Sequence, residues 1–351
     1  TEGGAEGGSE GQSAGESEAN GEPEREPDEG RTVRLGTFME TWSVRFAPDG
    51  TRVVAGGAYG NVQVFDLQGQ RSGTARGGAL AYNVGSVVLP IMAGVTGAAA
   101  MWMRRRPDAG PDSGPSRALA LTPDGRRVAT GLGAKVLLRA TEEEDARPTK
   151  FAVDRHDVTA LAFCRNDLLA AASHHTVGLW SLDRPTRLRT LDHEDAVYAL
   201  AVTRDATRLA TAGHSYIRVW DVDTGEPKLS IDHHPMVFAA DFSPDGTRLV
   251  TGALDHSARV WDTTTGACLT RLELPDRVRG VAYGPDGDTL AIAAGHTVTL
   301  LNLATRRTVL EVDGDFGDVS LLQIALSPDG SHLATVGGGM AWLIPVPKKA
   351  P

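Results

Sequence analysis

Cysteine and aromatic side chains are scarce in this 351-residue chain, which holds two cysteines (Cys164 and Cys268) and 5% Phe, Trp and Tyr. Two thiols are too few for a disulfide framework or a thiolate zinc site. Lysine is nearly missing, five residues against thirty arginines, a bias of GC-rich coding sequence that suggests a bacterial source. Basic charge is not in excess either. The formal net charge is −10, and residues 1–30, with ten acids and the single base Arg25, carry −9 of it. The other 321 residues are therefore almost neutral, which argues against a strongly basic nucleic-acid binder and against an acidic body that steers cations. The H-E-x-x-H and P-loop patterns do not occur, and G-x-S-x-G is met only within the first fifteen residues (7–11 and 11–15), so no linear motif in 31–351 announces a hydrolase, a zinc protease or a nucleotide site. No cationic stretch followed by an apolar one opens the chain, so a signal peptide is not expected. The start at Thr1 raises the expectation of a piece of a longer chain.

What is present divides the chain in two. Residues 1–30 have alanine (Ala5, Ala14, Ala19) as their only apolar side chains. Such a segment has nothing to offset the entropy of ordering, so a disordered acidic tail or linker is expected, serving as a spacer or a recognition tail. Residues 31–351 are expected to form one domain. The 41 glycines fall without a G-X-Y period, and 41% apolar residues supply a sizeable core.

A turn of the form Pro-Asp-Gly recurs at 48–50, 123–125, 244–246, 285–287 and 328–330, with degenerate copies at Arg165-Asn166-Asp167 and Arg204-Asp205-Ala206. Measured at the second turn residue, successive spacings are 75, 42, 39, 40, 41 and 43. An alternating apolar run precedes each turn (Val44–Phe46, Ala240–Phe242) and another follows it (Leu209–Thr211, Leu249–Thr251). About eleven residues later a third run ends in a large side chain: Phe65, Trp180, Trp220, Trp261, Leu301. Period-two alternation punctuated by tight turns predicts short antiparallel strands. A repeat of this length predicts a ring of similar units, because one unit cannot bury both of its faces.

These residues resemble the WD-repeat family, most clearly in DFSPDGTRLVTGALDHSARVWDTTTGACLTRLEL (241–274) and next in 197–229. The resemblance implies an all-β propeller of seven four-stranded blades. The last repeat (319–347) supplies three strands, so residues 32–37 are expected to add the fourth and close the ring, leaving no long open sheet edge. The resemblance also implies a buried His–Thr–Asp–Trp tetrad, for which one repeat offers all members: His234 (or His233), Thr251, Asp255 and Trp261. At the Asp position other repeats carry Tyr59, His174 and His214, and those blades are expected to rely on apolar packing.

One segment breaks the pattern. The 75-residue gap contains 77–103, which has no charge and is followed by Arg104-Arg105-Arg106. Three readings stay open: an apolar insertion on a seven-bladed ring, a degenerate eighth blade with Trp102 between Phe65 and Leu138, or a membrane span with the first repeat outside the ring. The first is adopted, with the insertion at about 77–106.

The functional expectation is a non-catalytic scaffold that binds a protein or peptide on the propeller rim. The entry loops would contribute Trp42, His156, Asp195, Met236 and Arg277, and the turns facing them Tyr59, His174, Tyr216 and His256. Alternatives are a membrane-attached sensory or regulatory propeller anchored by 79–106, and an enzyme with a central-channel site. No catalytic residue, metal or cofactor is assigned. His174, His214, His256 and His296 recur in one turn of consecutive repeats, which spaces them ~15–20 Å apart, too far to share a zinc ion. Adjacent pairs such as His174-His175 would point apart on extended backbone. Cys164 and Cys268 are expected to be buried small hydrophobes. A monomeric ring without nucleic acid, cytoplasmic or membrane-associated through 79–106, completes the expectation.

Overall fold

The computed structural model describes residues 32–35, 41–57, 60–75, 118–141, 148–313 and 323–347. The expectations for 1–30 and 77–106 and for Tyr59 lie outside these residues. The described residues form seven four-stranded antiparallel sheets. Among them no helix is long and apolar enough to cross a membrane.

Each sheet is a blade, numbered here by its innermost strand: Thr41–Phe46, Leu119–Leu121, Val158–Arg165, Val197–Val202, Val237–Phe242, Val278–Tyr283 and Gln323–Leu326 for blades 1 to 7. Blade 5 continues outward through Arg248–Ala253, Ser257–Asp262 and Cys268–Glu273. Second strands such as Arg248–Ala253 and Leu168–Ser173 are buried along almost their whole length. They are covered on both faces by neighbouring blades, so they read as continuous small and apolar runs. Outermost strands such as Cys268–Glu273 face water and admit charge; Cys268 is exposed there, contrary to expectation, while Cys164 is buried. Burial pushes the Cys164 thiol up to about 12, so it stays protonated.

The innermost strands contact one another in chain order, and blade 7 returns to blade 1. Val33–Leu35 provides the fourth strand of blade 7, antiparallel to Met340–Pro345, with Val33 opposite Leu343 and Leu35 opposite Ala341. Blade 1 packs directly on blade 2 through Val54, Val62 and Val64 against Leu119 and Val128. That contact corrects two alternatives. An eighth blade has no place between blades 1 and 2, and the first repeat lies inside the ring.

The Pro-Asp-Gly turns close the first hairpin of their blades. In blade 5 Gly246 N–H donates to Ser243 O at 2.8 Å, while Asp245 Oδ1 accepts from Ser243 Oγ at 2.6 Å and Thr247 N at 3.0 Å. These donors, the Ser243 hydroxyl first, hold the Asp245 carboxyl down at about 2. Gly246 has φ +68, a left-handed conformation that favours glycine, and its carbonyl accepts Arg208 Nη2 of blade 4 at 2.8 Å.

Candidate functional site

The loops entering each blade and the turns between second and third strands meet at one end of the ring. Val197 N–H donates to His174 O at 2.8 Å, Leu254 N–H to Met236 O at 2.9 Å, and Thr41 N–H to Gly339 O at 2.9 Å. Gly338 and Gly339 adopt φ +57 and +78, so the glycine run forms the tight turn of blade 7 against the entry to blade 1. Nine of the ten histidines lie in these loops and turns; His332 is at the other end.

Of the rim residues expected from the sequence, His156, His174, His256 and Arg277 are exposed, and Trp42, Asp195, Tyr216 and Met236 are partly buried. His156 and His174 come together with ring centroids 4.6 Å apart. Tyr216 faces His234 at 6.5 Å and carries the Arg218 guanidinium over its ring at 5.7 Å. His174 and His175 do not point apart: their ring centroids are 3.7 Å apart. The extended-backbone assumption fails because His174 has φ +53. The His174 imidazole is held below its usual value, by desolvation first and then by His175 and His156. Among the described residues no group of three or more His, Cys, Asp or Glu side chains is placed to hold a metal ion.

The tetrad expected in blade 5 is rearranged. His233, not His234, is the buried histidine: its Nε2 lies 3.2 Å from Thr251 Oγ1, to which Trp261 Nε1 also donates at 2.9 Å. His234 is exposed on the rim. Successive side chains in an extended entry loop face opposite ways, and only one of the two can turn inward. Asp255 belongs to a separate network, accepting from Ser257 Oγ at 2.6 Å and pairing with Arg259 and Arg271. Blade 4 lacks an Asp here yet is not purely apolar. His193 Nε2 is 2.8 Å from Thr211 Oγ1, and Trp220 Nε1 donates to the same oxygen at 2.9 Å. The hydroxyl needs only a His and a Trp neighbour, so the absent Asp does not remove the network.

The ring surrounds a cavity of about 660 Å³ lined by all seven innermost strands. In five of them the ladder register slips at the second residue, leaving Trp42, Thr159, Tyr198, Phe238 and Arg279 in bulges. A bulge releases one residue from the pleat and re-aims its side chain. All five line the cavity at the end where the histidines lie, and all five are partly exposed. Arg279 holds its guanidinium 5.1 Å from the Phe238 ring centre, a cation–π contact. The mouth is therefore ringed by large amphipathic groups.

Deeper in, one register position is shared by all seven strands. It is alanine in five blades (Ala120, Ala162, Ala201, Ala282 and Ala325) and charged in two, Arg45 in blade 1 and Asp241 in blade 5. Asp241 Oδ2 accepts Tyr283 N–H of the next blade at 2.8 Å, and burial pushes its carboxyl up to about 6. Arg45 donates to Val44 O at 2.9 Å, and burial lowers its pKa while Asp241 opposes that shift. Gln323 Oε1 accepts Ser43 Oγ at 2.7 Å and Val44 N–H at 3.0 Å, tying blade 7 to blade 1 beside Arg45.

Tyr198, Phe238, Arg279, Arg45 and Asp241 were not singled out from the sequence. The signal is nevertheless there once strands are aligned: Val or Thr, then an outsize residue, then Ala, Ser or Gly (Thr41-Trp42-Ser43, Val197-Tyr198-Ala199, Val237-Phe238-Ala239, Val278-Arg279-Gly280). The charged pair appears as two exceptions in a column of alanine.

Three segments, residues 36–66, 185–221 and 225–262, match the family model described as WD domain, G-beta repeat. The second and third each cover the outermost strand of one blade and the first three strands of the next, so repeat and blade are offset by one strand. The chain thus carries WD40 repeats on a seven-bladed β-propeller. No curated protein matches the chain.

Proposed function

We propose that this protein is a non-catalytic scaffold that docks a protein or peptide on the rim surrounding the channel mouth. WD40 propellers are in general protein-interaction scaffolds and typically not enzymes. The observation that carries the reading to this rim is the set of five bulges, which delivers Trp42, Tyr198, Phe238, Arg279 and Thr159 to one opening. Tyr, Trp and Arg are the side chains that anchor interfaces, because each buries a large area while keeping a polar tip. Around them stand His156, His174, His256 and Arg277, exposed and polar as the border of a docking surface is.

The test is selection of binding peptides from a displayed library against the whole protein, followed by affinity measurement on variants. Trp42→Ala and Arg277→Ala are expected to weaken the selected peptides, Trp42→Ala by ~30-fold at a central anchor, with melting temperatures unchanged. Peptides that bind both variants as tightly as the parent protein overturn the proposal.

A further inference from the structure

Arg45 and Asp241 occupy the same layer of the channel from blades three steps apart, and no ion pair joins them: the groups are more than 4 Å apart. Each is partly exposed to the cavity yet desolvated by the strands around it, and each feels the other's charge. A desolvated charge is costly unless something of opposite sign meets it. The five alanines at this register line the same cavity and are too short to reach across it; Ala120, Ala201, Ala282 and Ala325 are buried against the neighbouring blades.

Both groups line that space and retain bonding capacity. Arg45 uses one guanidinium N–H on the neighbouring Val44 carbonyl, which leaves its remaining N–H donors. Asp241 accepts backbone N–H groups of Tyr283 and Phe242, and a carboxylate has about four acceptor positions. Gln323, whose Oε1 is committed to Ser43 and Val44, also lines the cavity, and its amide N–H donors complement Arg45.

We propose that the channel is a binding site for a small zwitterion, a free amino acid or dipeptide, with its carboxylate on Arg45 and Gln323 and its ammonium on Asp241. A dianion is rejected by Asp241 and a dication by Arg45, so the arrangement selects a molecule with one charge of each sign. The aromatic mouth lies above this layer and admits an apolar side chain. The site is distinct from the rim: it needs neither His156 nor Arg277.

The experiment is calorimetric titration of the full chain with glycine, β-alanine, γ-aminobutyrate, glycylglycine and the common free amino acids. These probes vary the distance between the two charges and the side chain. The expected result is saturable binding of at least one probe, lost at least tenfold when its amine is acetylated or its carboxyl is esterified, since each removes a charge-assisted contact. Arg45→Gln and Asp241→Asn should each weaken the same probe at least tenfold. Asn keeps an acceptor for Tyr283 N–H, so the blade contact survives. Ala162→Leu, which retains both charges and narrows the bore, should also abolish binding; a melting temperature no lower than that of the parent protein certifies each variant. No binding by any probe at millimolar concentration overturns the proposal. So does binding that is indifferent to acetylation, esterification or the two charge substitutions.

Discussion

Arg139 stands in blade 2 where Trp261 stands in blade 5. Arg139 is opposite Val128 and Trp261 opposite Leu249, at the same step of the same strand pair, and their exposures are 4% and 6%. The sequence pattern pointed to Leu138 for this place, one residue early. Trp261 Nε1 has Thr251 Oγ1 to donate to, whereas none of the three Arg139 guanidinium nitrogens and not Thr130 Oγ1 has a hydrogen-bond partner. A buried charge without a partner is destabilising, and an apolar side chain of similar length removes that cost. Arg139→Leu is therefore expected to stabilise the protein by ~1–3 kcal/mol and to raise its melting temperature by several degrees. A lower melting temperature in calorimetry would mean that Arg139 has a partner in the native protein.

Between about pH 4 and 6.5 stability should be set by three desolvated groups. His193 and His233 are both pushed down to about 4, by burial first, with Arg218 and Arg259 respectively adding to the effect. Unfolded imidazoles titrate near 6.5, so between about pH 6.5 and 4 the unfolded chain binds the extra protons and stability falls as pH falls. The slope is about 1.4 kcal/mol per pH unit for each histidine. Asp241 acts with the opposite sign. Its folded carboxyl at about 6 keeps a proton that the unfolded chain releases near 3.9, so its contribution weakens the fold as pH rises through that window. One histidine is thus offset, and Asp241→Asn should double the net acid slope to about 2.8 kcal/mol per pH unit. Urea titrations across the window measure it. An unchanged slope in Asp241→Asn would show that the carboxyl is ionised in the folded channel.

The degenerate turn Arg204-Asp205-Ala206 keeps the geometry of the Pro-Asp-Gly turns but not their glycine. Ala206 has φ +59 where Gly246 has φ +68. Its N–H still donates to Thr203 O at 2.8 Å, and Asp205 still accepts from Thr203 Oγ1 at 2.6 Å, so the turn is held against the preference of its own residue. Ala206→Gly is expected to stabilise by ~1 kcal/mol, the left-handed cost for a residue with a Cβ. No gain, or a loss, in the folding equilibrium would show that the turn carries no such strain.

Strand pairing, blade plan and ring closure were legible because they depend on a period that the chain repeats. The Pro-Asp-Gly spacing sets the hairpins, and the three-stranded last repeat calls for Val33–Leu35. The number of blades followed from contact rather than period, since the 75-residue gap alone admitted an extra unit until Leu119 was seen packed on Val54 and Val62. Side-chain direction in turns and bulges was the harder part. Period-two reasoning sends His174 and His175 apart and cannot choose between His233 and His234, because one left-handed residue or one bulge resets which way the next side chain points. For the same reason Trp42 stands out in the sequence as an aromatic in an entry loop, while Tyr198, Phe238 and Arg279, its equivalents in later blades, read as ordinary strand residues.

The docking claim is tested most directly by amide hydrogen exchange of the whole protein with and without a saturating selected peptide. Protection concentrated at 41–43, 153–159, 193–199, 233–239 and 274–280, the entry loops and their bulges, is the predicted result. Protection concentrated instead at the Pro-Asp-Gly turns around 204–206 and 244–246, or along outermost strands such as Cys268–Glu273, would contradict it.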